Sequence, residues 1–187
     1  ILFKQLCDEL SALDNVDITG SAEQGINGHN VSSFSYNNST MLNVGGGPDE
    51  DGIHFYNMVG TSTINNTTIT SSGDDNINIQ NNNNLPADLP QSTVSSLTIT
   101  GGSANTGVLG SGYLMGIRGT MNTTVLITGV TANNNFSGGI VIDTYDTATS
   151  DLEITGVTST NNNDAISLSS NNGNTKFDIH DNASFAG

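Results

Sequence analysis

Two interleaved sets of apolar positions run the length of this 187-residue chain. In the first set an isoleucine follows a small residue: Gly25-Ile26, Gly52-Ile53, Asn76-Ile77, Gly116-Ile117, Gly139-Ile140 and Ala165-Ile166. The second set is Ile18, Tyr36, Ile64, Ile99, Ile127, Ile154 and Ile179, at intervals of 18, 28, 35, 28, 27 and 25 residues. A degenerate repeat of this length constrains the chain to a solenoid, a propeller or an array. Apolar residues stand two apart in Val16-Asp17-Ile18, Leu97-Thr98-Ile99, Val125-Leu126-Ile127 and Leu152-Glu153-Ile154. Such pairs point to one face of a strand. Gly or Asn then closes each segment and supplies the positive φ of a tight bend. Propeller blades need about 40–45 residues and antiparallel hairpins, and hairpin signals are scarce here. The reading is an all-β parallel solenoid of roughly six or seven coils, enough for stacked repeats to be stable. Its strands stack about 4.8 Å apart.

The register follows from the two sets. Ile53, Ile77, Ile117, Ile140 and Ile166 should form one buried ladder, and Ile64, Ile99, Ile127, Ile154 and Ile179 the other, because identical inward positions share a core. Residues 1–13 differ. Leu2, Leu6, Leu10 and Leu13 recur at helical spacing. They predict an amphipathic N-terminal capping α-helix over an otherwise open solenoid end. The solenoid occupies 14–187, with long loops near 43–51, 83–94 and 102–114. Cys7 reads as a small hydrophobe beside the helix's apolar side.

Composition limits the partners. Three Lys+Arg stand against 18 Asp+Glu, for a net charge of -15. This surface repels nucleic acid, and no apolar run is long enough to cross a membrane. A single cysteine leaves no intrachain disulfide. The chain reads as an excised piece of a longer secreted or cell-surface protein. End-to-end self-association, or stacking on other repeats of the parent chain, is expected at the uncapped C-terminal end.

The Ile-Thr-Gly and Gly-Ile segments with intervening Asn runs, such as Ile154 through Asn161-Asn162-Asn163 to Ile166, resemble the right-handed parallel β-helix, or pectin-lyase-like, superfamily. The resemblance covers residues 14–187 and implies the fold and its hand. It is unspecific for function, since that superfamily holds lyases, hydrolases, tailspikes and non-catalytic adhesin repeats.

Asp51-Gly52-Ile53 and Gly73-Asp74-Asp75 resemble the Asn-Thr-Asp-Gly and Gly-Asp-Asp segments of polygalacturonase-type glycoside hydrolases. Two close carboxylates can divide into acid and base for glycoside hydrolysis. In this register His54, Asn78 and Arg118 share one outward row, which gives Asp51, Asp74, Asp75, His54 and Arg118 as the catalytic alternative. The family's Gly-His-Gly and Arg-Ile-Lys segments are missing, and Asp49-Glu50 replaces its leading Asn-Thr. The reading adopted is therefore a non-catalytic structural or adhesive module, a stalk, filament subunit or carbohydrate-contacting surface, requiring no cofactor. Asp49, Glu50, Asp51, Asp74 and Asp75 form a candidate calcium site, since hard cations gather several oxygens. Asp143, Asp146 and Asp151 read as a solvated stretch, and the scattered His29, His54 and His180 exclude a zinc site. Thr68-Ile69-Thr70 and Thr98-Ile99-Thr100 suggest an ice-binding ladder, which the unequal coil lengths argue against. Several Asn-x-Ser/Thr triplets, such as Asn38-Ser39-Thr40, arise by chance in this composition.

Overall fold

The computed structural model describes residues 2–4, 12–82, 94–181 and 184–186. They wind into a right-handed parallel β-solenoid of about six turns. Three sheet faces enclose the core, and every strand ladder is parallel. The first face stacks Leu2–Lys4, Ile26–Ser32, the start of Ile53–Thr70, Ile77–Asn82, Tyr113–Arg118, Gly138–Tyr145 and Asp164–Asn171. The second stacks Ala12–Asp14, Ser35–Asn37, the middle of Ile53–Thr70, the start of Val94–Asn105, Asn122–Thr128, Thr149–Thr155 and Asn174–His180. The third stacks Asp17–Thr19, Thr40–Leu42, the ends of the two long strands, Thr131–Asn133, Thr158–Thr160 and Ser184–Ala186.

The corners explain the Asn and Gly content. The chain must reverse its pleat wherever it leaves a face, and a left-handed residue does this in one step. Between the second and third faces that residue is Asn15, Asn38, Asn66, Gly101, Gly129, Gly156 and Asp181 in successive rungs, all with φ between 47° and 63°. Asn tolerates this geometry through its short polar side chain, and Gly through having none. The Asn corners also bond along the stack. Asn38 Nδ2 donates to Asp14 Oδ1 at 2.9 Å, and Asn66 Nδ2 to Asn38 Oδ1 at 3.5 Å. A second left-handed series, Asn43, Ser71, Thr106, Asn134 and Asn161, turns the third face into the next rung.

The ladder through Ile64, Ile99, Ile127, Ile154 and Ile179 forms as the spacing requires, with Tyr36 and Leu13 extending it. Ile179 is 39% exposed because it lies in the last rung. The first-face ladder is Ile26, Ile53, Ile77, Tyr113, Ile140 and Ile166, so Tyr113 takes the place expected for Ile117. Ile117 is buried one turn of pleat further on, opposite Asn81 and Thr144. Ile18 belongs to a third ladder with Met41, Ile69 and Ala104. Each fully buried isoleucine contributes roughly 1.5–3 kcal/mol relative to exposure.

The helix expected over 1–13 falls mainly on residues outside the described set. At its ends Leu2–Lys4 and Ala12–Asp14 are extended strands, not helix. Cys7 lies outside the described residues. The loop expected at 102–114 shrinks to 106–112, because Gly102 to Asn105 pairs on the third face and Tyr113 begins the first. The loop near 83–94 also falls outside the described residues, apart from Val94.

Candidate functional site

Asp51, Asp74 and Asp75 converge where the third face turns into the first. Asp51 precedes the inward Ile53, and Asp75 precedes Ile77 one rung on, so the Ile53–Ile77 pairing brings the two corners together. One carboxylate oxygen from each of the three aspartates lies within 4.8 Å of the others. Asp51 is fully buried, Asp75 nearly so, and Asp74 half-buried. Among the described residues this is the one group of three acidic, His or Cys side chains placed to hold a metal ion.

The carboxylates are already engaged by their surroundings. The Asp75 N–H donates to Asp51 Oδ1 at 3.0 Å, and Asn78 Nδ2 donates to Asp51 Oδ2 at 3.2 Å. His54 Nδ1 lies 2.5 Å from that same Oδ2, and both ring nitrogens of His54 are buried without a hydrogen-bond partner. The Ser111 N–H donates to Asp75 Oδ1 at 2.5 Å, and the Asp49 N–H to Asp74 Oδ2 at 3.1 Å. Burial pushes the Asp75 carboxyl up to about 7; the Ser111 N–H works against this, and the negative Asp51 and Asp74 add to it. Asp74 is raised too, chiefly by burial.

Residues 107–111, from the following rung, cover the acids. A side chain at Gly110 would place its Cβ 2.4 Å from Asp75 Oδ1 and 2.5 Å from Asp74 Oδ1, so only glycine fits this approach. Sequence reasoning missed this cover. A signal existed: Gly110-Ser111-Gly112 stands directly before the inward Tyr113, and a glycine pair at a corner permits a close approach.

Asp49 and Glu50 do not join the cluster. Glu50 Oε2 accepts from the N–H groups of Gly46 and Gly47, which closes its own loop. Asp143 accepts from the Ser169 hydroxyl, Asp146 from the Gly119 N–H at 3.0 Å, and Asp151 pairs with Lys176 at 3.2 Å, so these three acids do not converge.

His54 and Asn78 do share an outward row, but its next members are Leu114 and Val141 rather than Arg118. Arg118 lies opposite Asn82, and its guanidinium sits 4.1 Å above the Tyr145 ring. It still borders an open groove of about 430 Å³ with Asp49, His54, Tyr56, Asn78 and Gln80. Tyr56 is the aromatic centre of this face. Its ring lies 4.4 Å from that of His54 and 4.8 Å from that of His29. No family model, curated protein or solved structure matches the chain.

Proposed function

We propose that this chain is a non-catalytic structural and adhesive module of an extracellular or cell-surface protein, contacting carbohydrate through the first-face groove. The observation that carries the reading is how the acids are used. Asp51, Asp74 and Asp75 accept backbone N–H bonds from 49, 75 and 111 and lie under the glycine cover, so they tie rungs together. The open surface beside them has the chemistry of a sugar contact instead, with an exposed Tyr56 ring and the planar amides of Asn78 and Gln80. The fold supports a stalk role, because each rung contacts only its neighbours and the stack can lengthen without changing its cross-section. The last rung leaves Phe177, Ile179 and Phe185 exposed. Further rungs of a parent chain, or another copy, would cover them.

The rival reading is a polysaccharide hydrolase. A carboxyl pushed up to about 7 beside a second carboxylate favours it, since that pair can serve as acid and base. Against it stand the cover over the acids and the rung after Tyr113, which reads Gly139-Ile140-Val141-Ile142-Asp143 and offers no cation to an anionic sugar. The triad also suits weak calcium binding, supported by the oxygen ligands of Asp51, Asp74 and Asp75 without Asp49 or Glu50. A polygalacturonate assay with and without calcium, run beside a glycan-binding screen, tests all three. We expect no turnover, and retention of at least one glycan that is lost in Tyr56→Ala. Hydrolysis abolished by Asp74→Asn would overturn the adhesive reading.

A further inference from the structure

The third face carries an unbroken outward column of hydroxyls: Thr40, Thr68, Ser103, Thr131, Thr158 and Ser184. Two residues on, a second column holds Thr19, Leu42, Thr70, Asn105, Asn133, Thr160 and Ala186. Unequal coil lengths argue against a regular ladder at the level of sequence, and the structure removes that objection. The 35-residue rung between Ile64 and Ile99 keeps its pairing from Gly60 through Thr70, so its extra residues lie outside this face.

Three properties of the face point to its occupant. It is nearly free of charge in a chain of net charge -15: Asp17, in the first rung, is the one ionisable side chain among these outward positions. Its outward positions carry no aromatic ring, Phe185 lying at an inward position of the last rung, whereas the first face gathers His29, His54 and Tyr56. A trough of about 370 Å³ runs between the columns, lined by Thr19, Thr40, Leu42, Thr68 and Thr70, with Met41 at its floor and the Asp17 carboxylate at its first-rung end.

Bonds along the columns hold the groups in place. The Thr40 hydroxyl donates to Asp17, and Thr131 Oγ1 donates to the Gly102 carbonyl at 3.4 Å. Asn133 Oδ1 accepts from both Thr160 N and Thr160 Oγ1 at 2.9 Å. The hydroxyls are therefore spaced by the backbone, about 4.8 Å between rungs and about 6.7 Å between columns.

We propose that the third face adsorbs to ice, with water ordered in the trough joining the crystal lattice. Ice offers uncharged O–H groups at a fixed repeat, which matches a periodic hydroxyl surface whose one carboxylate, Asp17, is confined to the first rung. A polysaccharide would favour ring faces to stack upon, and this face has none. Apolar methyls from the threonines and from Leu42, which is 42% exposed, limit how strongly the trough binds bulk water. The inference does not depend on the carbohydrate groove or on the acidic triad.

The test is partition of the labelled full chain into slowly grown ice, beside pull-down on microcrystalline cellulose. The wild type should be enriched in ice. Thr40→Tyr with Thr68→Tyr should fill the trough and lower the enrichment about tenfold or more. Thr131→Lys, outside the trough on the same column, should also lower it, and Thr98→Tyr on the second face should not. Circular dichroism melts should match across all variants, since the positions point outward. Exclusion of the wild type from ice, retention on cellulose alone, or equal partition of the third-face variants would each overturn the proposal.

Discussion

The two corners that flank the third face are built on opposite principles. The corner from the second face carries one left-handed Asn or Gly per rung through Gly156, no insertion, and at Asn38 and Asn66 a side chain that bonds to the preceding rung. The corner into the first face holds the loops at 43–51 and 106–112, and three aspartates folded against one another. The first is held by conformation and the second by burial and hydrogen bonding. Structural cost should therefore follow backbone angle at one corner and loss of acceptors at the other.

The largest effect should come from Asp51→Ala. It leaves the Asp75 N–H and Asn78 Nδ2 without their buried acceptor and His54 without its adjacent carboxylate. We expect a loss of about 3–5 kcal/mol in urea unfolding, and a loss under 1 kcal/mol would break the comparison.

Next is pH. The Asp75 carboxyl is raised to about 7 in the folded chain from an ordinary value of 3.8. A raised acid binds its proton more tightly when folded, so its stabilising effect is complete below the unfolded value and is lost as pH rises through the folded one. Thermal stability should fall between about pH 4 and pH 7 and then level. Asp75→Asn should flatten that part of the profile, and an unchanged slope would assign it to other groups.

Gly129→Ala should cost about 1–2 kcal/mol, because φ is +63° although nothing lies within 4 Å of the added Cβ. A thermal melt indistinguishable from wild type would show that the second corner does not depend on its left-handed residue. The smallest effect belongs to the exposed Asp151–Lys176 pair. Lys176→Ala should change stability by about 0–1 kcal/mol, and its sensitivity to salt should be slight.

The same contrast governs what the sequence could reveal. The Ile64-to-Ile179 ladder was legible because isoleucine recurs two residues after Leu97, Val125, Leu152 and Phe177, at intervals of 28, 27 and 25 residues. Tyr113 and Ile117 were not separable, since Gly112-Tyr113 and Gly116-Ile117 both satisfy the rule of a small residue before an apolar one. Only pairing with Ile77 and Ile140 decides between them. That shift of four residues also removed Arg118 from the row of His54 and Asn78. Convergence of Asp51 with Asp74 and Asp75 could be read from their spacing. Their cover could not, because Gly110 arrives from a different rung, across a segment of variable length. Glu50 turned away for a local reason, the nearby N–H groups of Gly46 and Gly47.

The nearest-neighbour stacking of the rungs sets how the chain would carry load. A pull along the axis places the rungs in series, so the outermost one peels first and leaves the next in the same position. The trace would be a sawtooth in which each step releases one rung. A 27-residue rung such as Ile127 to Ile154 gives about 90–95 Å of extended chain at about 3.3–3.6 Å per residue. The 35-residue rung between Ile64 and Ile99 would stand out as a single longer step. Tension would thus be limited to the strength of one rung, while the length available to absorb work grows with every rung added.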